Sequence, residues 1–213
     1  MEINRKEVFR YLGYGRIEPD SQIKDLAESC IAELEREAVP RAVSRGYPLI
    51  LGQDGAIDGG CFQTVSRNLW KNLKDCTEII VFAATLGTGA DHLIRKYMQL
   101  EMSRAVVLQA AATAMLEDYC DELCREQQET CEKEGLYLRP RFSPGYGDFP
   151  LNVQEDILSA LEAGKRIGIK LTDSLLMVPT KSVTAVMGVS PKPYRCEVKG
   201  CEACQKADCL YRR

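Results

Sequence analysis

Two stretches of the 213-residue chain concentrate side chains that could do chemistry. The first is RPRFSPGYGDFP at residues 139–150. Prolines fix the backbone on either side of two glycines, so the loop is constrained. It presents a guanidinium (Arg141), a phenol (Tyr146) and exposed amides together. Arginine offers forked donors to a carboxylate, a tyrosine ring can stack or hydrogen-bond, and glycines let a ligand approach the backbone. That combination suits a small anionic or zwitterionic ligand; the alternative is a structural turn with Arg141 in a surface ion pair. The second stretch holds Cys196, Cys201, Cys204 and Cys209, spaced C-x4-C-x2-C-x4-C. Its central C-x-x-C lets two thiolates ligate one metal from a tight turn, with Gly200 and Ala203 as the small residues such a knuckle needs. Four thiolates match a structural zinc site or an iron-sulfur cluster, and spacing does not separate the two.

The rest of the composition narrows the chemistry. His92 is the one histidine, so a Ser-His-Asp triad, a Cys-His pair or a His-ligated zinc hydrolase would all have to rest on it. With 28 Lys and Arg against 31 Asp and Glu, the chain has no basic footprint for nucleic acid. No apolar run approaches the roughly 20 residues of a membrane helix, and the first residues, MEINRKEVFRYL, lack the apolar stretch of a secretory signal. A cytoplasmic chain with reduced thiols is therefore expected. The six remaining cysteines, Cys30, Cys61, Cys76, Cys120, Cys124 and Cys131, are scattered and read as small packing residues.

RFSPGY at residues 141–146 has the form Arg-x-x-x-Gly-Tyr, and IGIKLTDSLLMVPTKSV follows at residues 167–183 after a helical spacer. Together they resemble the activation domain of cobalamin-dependent methionine synthase. There an S-adenosylmethionine signature precedes a Leu-Thr-Glu-Ser-x-x-Met-x-Pro pattern and a Ser-Val strand. Here the matching anchors of the second motif are Leu171, Thr172, Asp173, Ser174, Met177, Pro179, Ser182 and Val183. The likeness covers the second half of the chain well and the first half loosely. It implies that Arg141 contacts the methionine part of S-adenosylmethionine and that Ser143, Gly145 and Tyr146 shape the nucleoside pocket. Glu117 is the implied carboxylate on the preceding helix, with Asp121 and Glu122 as alternatives. The chain departs from the family where Gly147-Asp148-Phe149-Pro150 replaces a Pro-x-x-Pro stretch and a histidine. Only Tyr194 stands near the tyrosines that follow the family's Ser-Val strand.

The resemblance implies a stand-alone reactivation subunit. It would bind S-adenosylmethionine and present it for reductive methylation of cob(II)alamin held by a cobalamin-binding methionine synthase subunit or another corrinoid protein. Methyl transfer to reduced cobalt needs position rather than a general base, which agrees with the lone histidine. The reaction also needs an electron donor, a role an iron-sulfur cluster on the cysteine tail could fill; a zinc knuckle would hold the tail or dock the partner. The alternative function is a non-catalytic metal-knuckle adaptor, or an S-adenosylmethionine-sensing binding protein for corrinoid proteins.

The elements that must position these residues read as an α+β fold: an antiparallel sheet with a long helical middle, activation-domain-like, plus a small C-terminal cysteine knuckle. Residues 1–190 form the ligand-binding domain and 191–213 the four-cysteine tail. Asn4 caps a short helix, and Asp20 or Ser21 starts a longer one carrying Ile23, Leu26, Ala27, Cys30, Ile31 and Leu34 on one face, ended by Pro40. A hairpin or meander is expected over 47–65 and two helical turns over 66–73. EIIVFAATL at 78–86 reads as a central strand. Residues 88–133 read as two helices meeting near 101–104, with 105–116 buried from several sides and Gly135 as the stop. A helix over 152–161, a β-like segment at 168–171 and a strand at 182–189 complete the pattern. Leu86-Gly87-Thr88-Gly89-Ala90 lacks the glycine pattern and Lys-Ser/Thr of a phosphate loop and reads as a tight strand-to-helix connection.

Overall fold

The structure, a computed structural model, describes residues 3–15 and 17–193. The cysteine cluster expected at Cys196, Cys201, Cys204 and Cys209, together with Tyr194, lies outside the described residues. Short polar side chains set the first helices. The Asn4 side chain accepts the amides of Lys6 and Glu7 and opens α1 (Arg5–Tyr11). Asp20 accepts the amide of Ile23 and opens α2 (Ser21–Glu37), which stops ahead of Pro40. Four strands follow: β1 (Arg41–Pro48), β2 (Ile50–Leu51), β3 (Ala56–Asp58) and β4 (Gln63–Val65). Ser66 then caps α3 (Arg67–Asn72) through the amide of Leu69, before β5 (Glu78–Thr85), α4 (Thr88–Leu100) and α5 (Met102–Lys133). The remaining elements are β6 (Tyr137–Leu138), α6 (Val153–Ala160), α7 (Ala163–Arg166), β7 (Lys170–Leu171), β8 (Met177–Val178) and β9 (Ser182–Ser190).

The described residues divide into two compact units, one of residues 3–39 and 88–120, the other of residues 40–87 and 121–193. The first is helical and is built on α1, α2, α4 and the leading part of α5. Cys30, Ile31 and Leu34 of α2, Leu93 and Ile94 of α4, and Leu108, Ala111 and Ala112 of α5 are buried in it. Those α2 positions repeat at the three- and four-residue spacing of one helix face. Gly89 begins α4 against the end of α2 so closely that a Cβ there would lie 1.9 Å from the Glu37 carbonyl oxygen.

The second unit is the α+β part. Its main sheet has the order β1-β5-β9-β6, antiparallel throughout, with β5 and β9 in the middle. Alternate residues of β5 face opposite sides, and both sides are covered, which is why its sequence is apolar without a break. Ile79, Val81 and Ala83 join Val153, Ile157, Leu161, Ile169 and Phe149 in one core. Complete burial of Ile157 and Leu161 contributes about 1.5–3 kcal/mol each. On the other side Phe82 and Met187 line a small cavity with Leu123 and Gln127 of α5.

The expected meander is the three-stranded β2-β3-β4 sheet. β1 belongs to the main sheet and starts earlier than the apolar run at Tyr47 suggests: it begins at Arg41 and pairs from Arg41↔Thr85 to Pro48↔Glu78. As an edge strand it has one neighbour and stays largely exposed, so its charges and its proline hide a strand pattern. The hairpin of β7 and β8 was legible only in its first half. Among the described residues no helix is long and apolar enough to cross a membrane.

Candidate functional site

The chain leaves α5 through Gly135, whose φ of 72° suits glycine. It then runs along the edge of β9. β6 pairs with Ser190 and Val189, Arg139 donates its amide to the Gly188 carbonyl at 2.8 Å, and Phe142 exchanges both backbone bonds with Val186 at 2.8 and 2.9 Å. This ladder fixes the two arginines of the loop differently. Arg139 is 5% exposed, and its guanidinium donates to the Lys74 carbonyl at 3.3 Å and to Ser190 Oγ at 3.2 Å. It braces the sheet. Arg141 is 23% exposed, and its Nη2 pairs with Asp121 Oδ1 of α5 at 3.0 Å. The Asp121 side chain is 60% exposed. Asp121, one of the carboxylates suggested on α5, is thus paired with the signature arginine within this unit.

Residues 143–150 form a turn held from inside. Gly145 donates its amide to the Phe149 carbonyl at 2.8 Å, Tyr146 to Ser143 at 3.2 Å, and Phe149 to Tyr146 at 3.0 Å. The loop's amides are therefore not all exposed, although its sequence suggests that they are: those of Gly145 and Tyr146 are used within the loop. Gly145 and Gly147 have φ of 91° and 57°, in the left-handed region. Phe149 is 2% exposed, with its ring centroid 5.9 Å from that of Phe62 and 6.2 Å from that of Phe142. The turn therefore hangs on a buried aromatic anchor. Ser143 is half-buried, and Tyr146, at 69% exposed, presents its ring outward.

One residue of this loop was not foreseen. The Asp148 carboxylate accepts Ser66 Oγ at 2.5 Å, the Arg67 amide at 2.8 Å and the Asn68 amide at 3.1 Å. The Ser66 hydroxyl and those amides hold the Asp148 carboxyl below the usual carboxylate range. The sequence places Ser66 at the start of a helical stretch, but nothing local says that a further acceptor for its first amides arrives from a loop some eighty residues away.

The other expected residues fall as follows. Glu117 lies on the part of α5 that belongs to the helical unit, where it is half-buried and its charge helps raise the Tyr11 phenol, whose upward shift comes first from burial. The second motif makes the β7–β8 hairpin. The Thr172 hydroxyl accepts the Leu176 amide at 3.1 Å and lies 3.0 Å from Ser174 Oγ. Ser182, at the start of β9, donates its hydroxyl to the Pro179 carbonyl at 2.7 Å. These anchors close a turn. His92 is exposed on α4. Burial pushes the Cys30 and Cys61 thiols up to about 11, as expected of packing residues.

A family model described as vitamin B12 dependent methionine synthase, activation domain, matches residues 70–213. A solved structure, "Crystal Structure of the MetH Reactivation Domain bound to AdoHcy", aligns with a TM-score of 0.66 and 22% identity over 91% of this chain and 75% of that one. That likeness shows a shared α+β fold. No curated protein matches the chain.

Proposed function

The chain belongs to the family of vitamin B12-dependent methionine synthase activation domains, and on that premise we propose that residues 141–146 bind S-adenosylmethionine and present its methyl group to a cobalamin carried by a partner protein. The observation that carries this reading is the Arg141–Asp121 pair beside a braced loop that exposes Tyr146. The methionine end of S-adenosylmethionine carries an ammonium and a carboxylate, and the pair offers one group of each sign to meet them. A guanidinium has five N–H donors, so a bond to Asp121 leaves Arg141 able to grip the ligand carboxylate, while the largely exposed Asp121 accepts from the ammonium. Of the carboxylates that the family resemblance suggests, Asp121 is the one we assign this role.

The loop fits the nucleoside part as well. A Cβ on Gly145 would lie 3.2 Å from Leu151 Cδ1, so glycine lets Leu151 pack closely against the loop backbone. The Tyr146 ring can stack on a purine, and the Ser143 hydroxyl can donate or accept. When bound, the ligand supplies a methyl group on a sulfonium; it passes to cobalt that one external electron has reduced, and S-adenosylhomocysteine leaves. The part of this chain is to hold the donor in place, which requires no proton transfer.

The test is anaerobic mixing of the chain with S-adenosylmethionine, a one-electron chemical reductant and the cob(II)alamin-loaded cobalamin module of a methionine synthase. Methylcobalamin absorption should grow only when the chain is present. A cob(II)alamin spectrum unchanged by saturating S-adenosylmethionine would overturn the methyl-transfer reading.

A further inference from the structure

We propose that Asp148 is a positioning residue for the ligand loop, acting as a clamp that holds residues 143–147 in binding shape before the ligand arrives. The inference rests on the reading of residues 141–146 as the S-adenosylmethionine site. Its basis is the way the loop is tied at both ends. Upstream, Phe142 is locked to Val186 by a pair of backbone bonds. Downstream, the Asp148 carboxylate takes three donors from consecutive residues, Ser66, Arg67 and Asn68. Only five residues lie between, and among them are the half-buried Ser143 and the exposed Tyr146.

The close approach that makes this clamp possible is specific. Gly147 has a φ of 57°, which favours glycine, and a Cβ there would lie 2.3 Å from Asn68 Nδ2, so any larger residue would have to displace the Asn68 side chain for the loop to lie against the start of α3. With that approach made, the carboxylate reaches amides that α3 leaves without intrahelical partners. Ser66 serves both structures: its hydroxyl accepts the Leu69 amide at 3.1 Å and donates to Asp148. The exposed Tyr146 has little packing of its own to fix it. Its placement therefore falls to the turn bonds and to the clamp beyond them. A loop already ordered in the free chain loses less freedom on binding, which appears as affinity.

The experiment pairs calorimetry of S-adenosylmethionine binding with amide hydrogen exchange of the free, full chain, for the wild type, Asp148→Ala and Asp148→Asn. In Asp148→Ala the Gly145 and Tyr146 amides should exchange at least about tenfold faster while β5 and β9 amides keep their protection, and the affinity should fall about tenfold. Asp148→Asn keeps an acceptor oxygen and should recover part of both losses, a rescue that general destabilisation would not produce. Faster exchange throughout β5 and β9, or an Asp148→Ala chain that binds within twofold of wild type, overturns the clamp alone. A wild-type chain that fails to bind S-adenosylmethionine overturns the ligand reading and the positioning role with it, even where the exchange data show the loop held.

Discussion

Two arginines that look equivalent in the sequence are held differently along the β9 edge. Arg139 turns inward to Lys74 and Ser190, and Arg141 reaches Asp121. The Arg-x-x-x-Gly-Tyr spacing picks the second, and the structure adds the inward side chain that makes the first a brace. Asp148 was illegible because its partners are remote in sequence and its own neighbours, Gly147 and Phe149, carry no capping signal. Cysteine roles were readable from their scatter, and they carry a prediction. Burial raises the Cys30 and Cys61 thiols from their ordinary range to about 11, so both remain thiols at pH 8, and only the thiolate is alkylated. The stability they lend is full below about pH 9 and is lost as pH rises through 11. Iodoacetamide at pH 8 with peptide mapping should leave Cys30 and Cys61 unlabelled over a period that labels the denatured chain fully. Labelling at the denatured rate would contradict this.

At the level of elements, strong local signals were legible and edges were not. The helix break fell at Glu101, between α4 and α5, and the strand at 78–85 lies centrally, because caps, glycines and unbroken apolar runs are local facts. β1 and β8 were missed or shortened since an exposed edge strand and a two-residue strand lack a periodic apolar pattern. The connection at Gly87-Thr88-Gly89 was read as tight, and the structure supplies the cause: the second glycine admits the Glu37 carbonyl. Gly89→Ala should therefore cost at least about 3 kcal/mol, because the opposing atom is backbone and cannot rotate away. Gly135 has positive φ but open space around it, so Gly135→Ala should cost only about 1 kcal/mol from its backbone conformation. Thermal unfolding followed by circular dichroism should show a drop of roughly 6–12 °C for the first and roughly 2–4 °C for the second. Equal drops would mean that the approach of α2 to Gly89 is not the constraint described.

For the molecule as a whole, the family was legible from two short motifs, while most of the chain has diverged: the solved reactivation domain keeps the fold at 22% identity. Such divergence is physically reasonable, because a core tolerates substitution when volume and pattern are kept, whereas a loop that meets a ligand depends on particular side chains. The scarcity of histidine agrees with the proposed function, which asks the chain to hold a methyl donor and requires no proton transfer. Calorimetric titration of the full chain and its Arg141→Ala variant reads out whether residues 141–146 are the S-adenosylmethionine site, as proposed. A charge-assisted hydrogen bond contributes about 1.5–3 kcal/mol, which corresponds to roughly a tenfold to hundredfold change in affinity. The wild type should bind one equivalent of ligand, and Arg141→Ala should show at least about a tenfold weaker Kd. No binding by the wild type, or equal affinity in the two proteins, would contradict the proposed site.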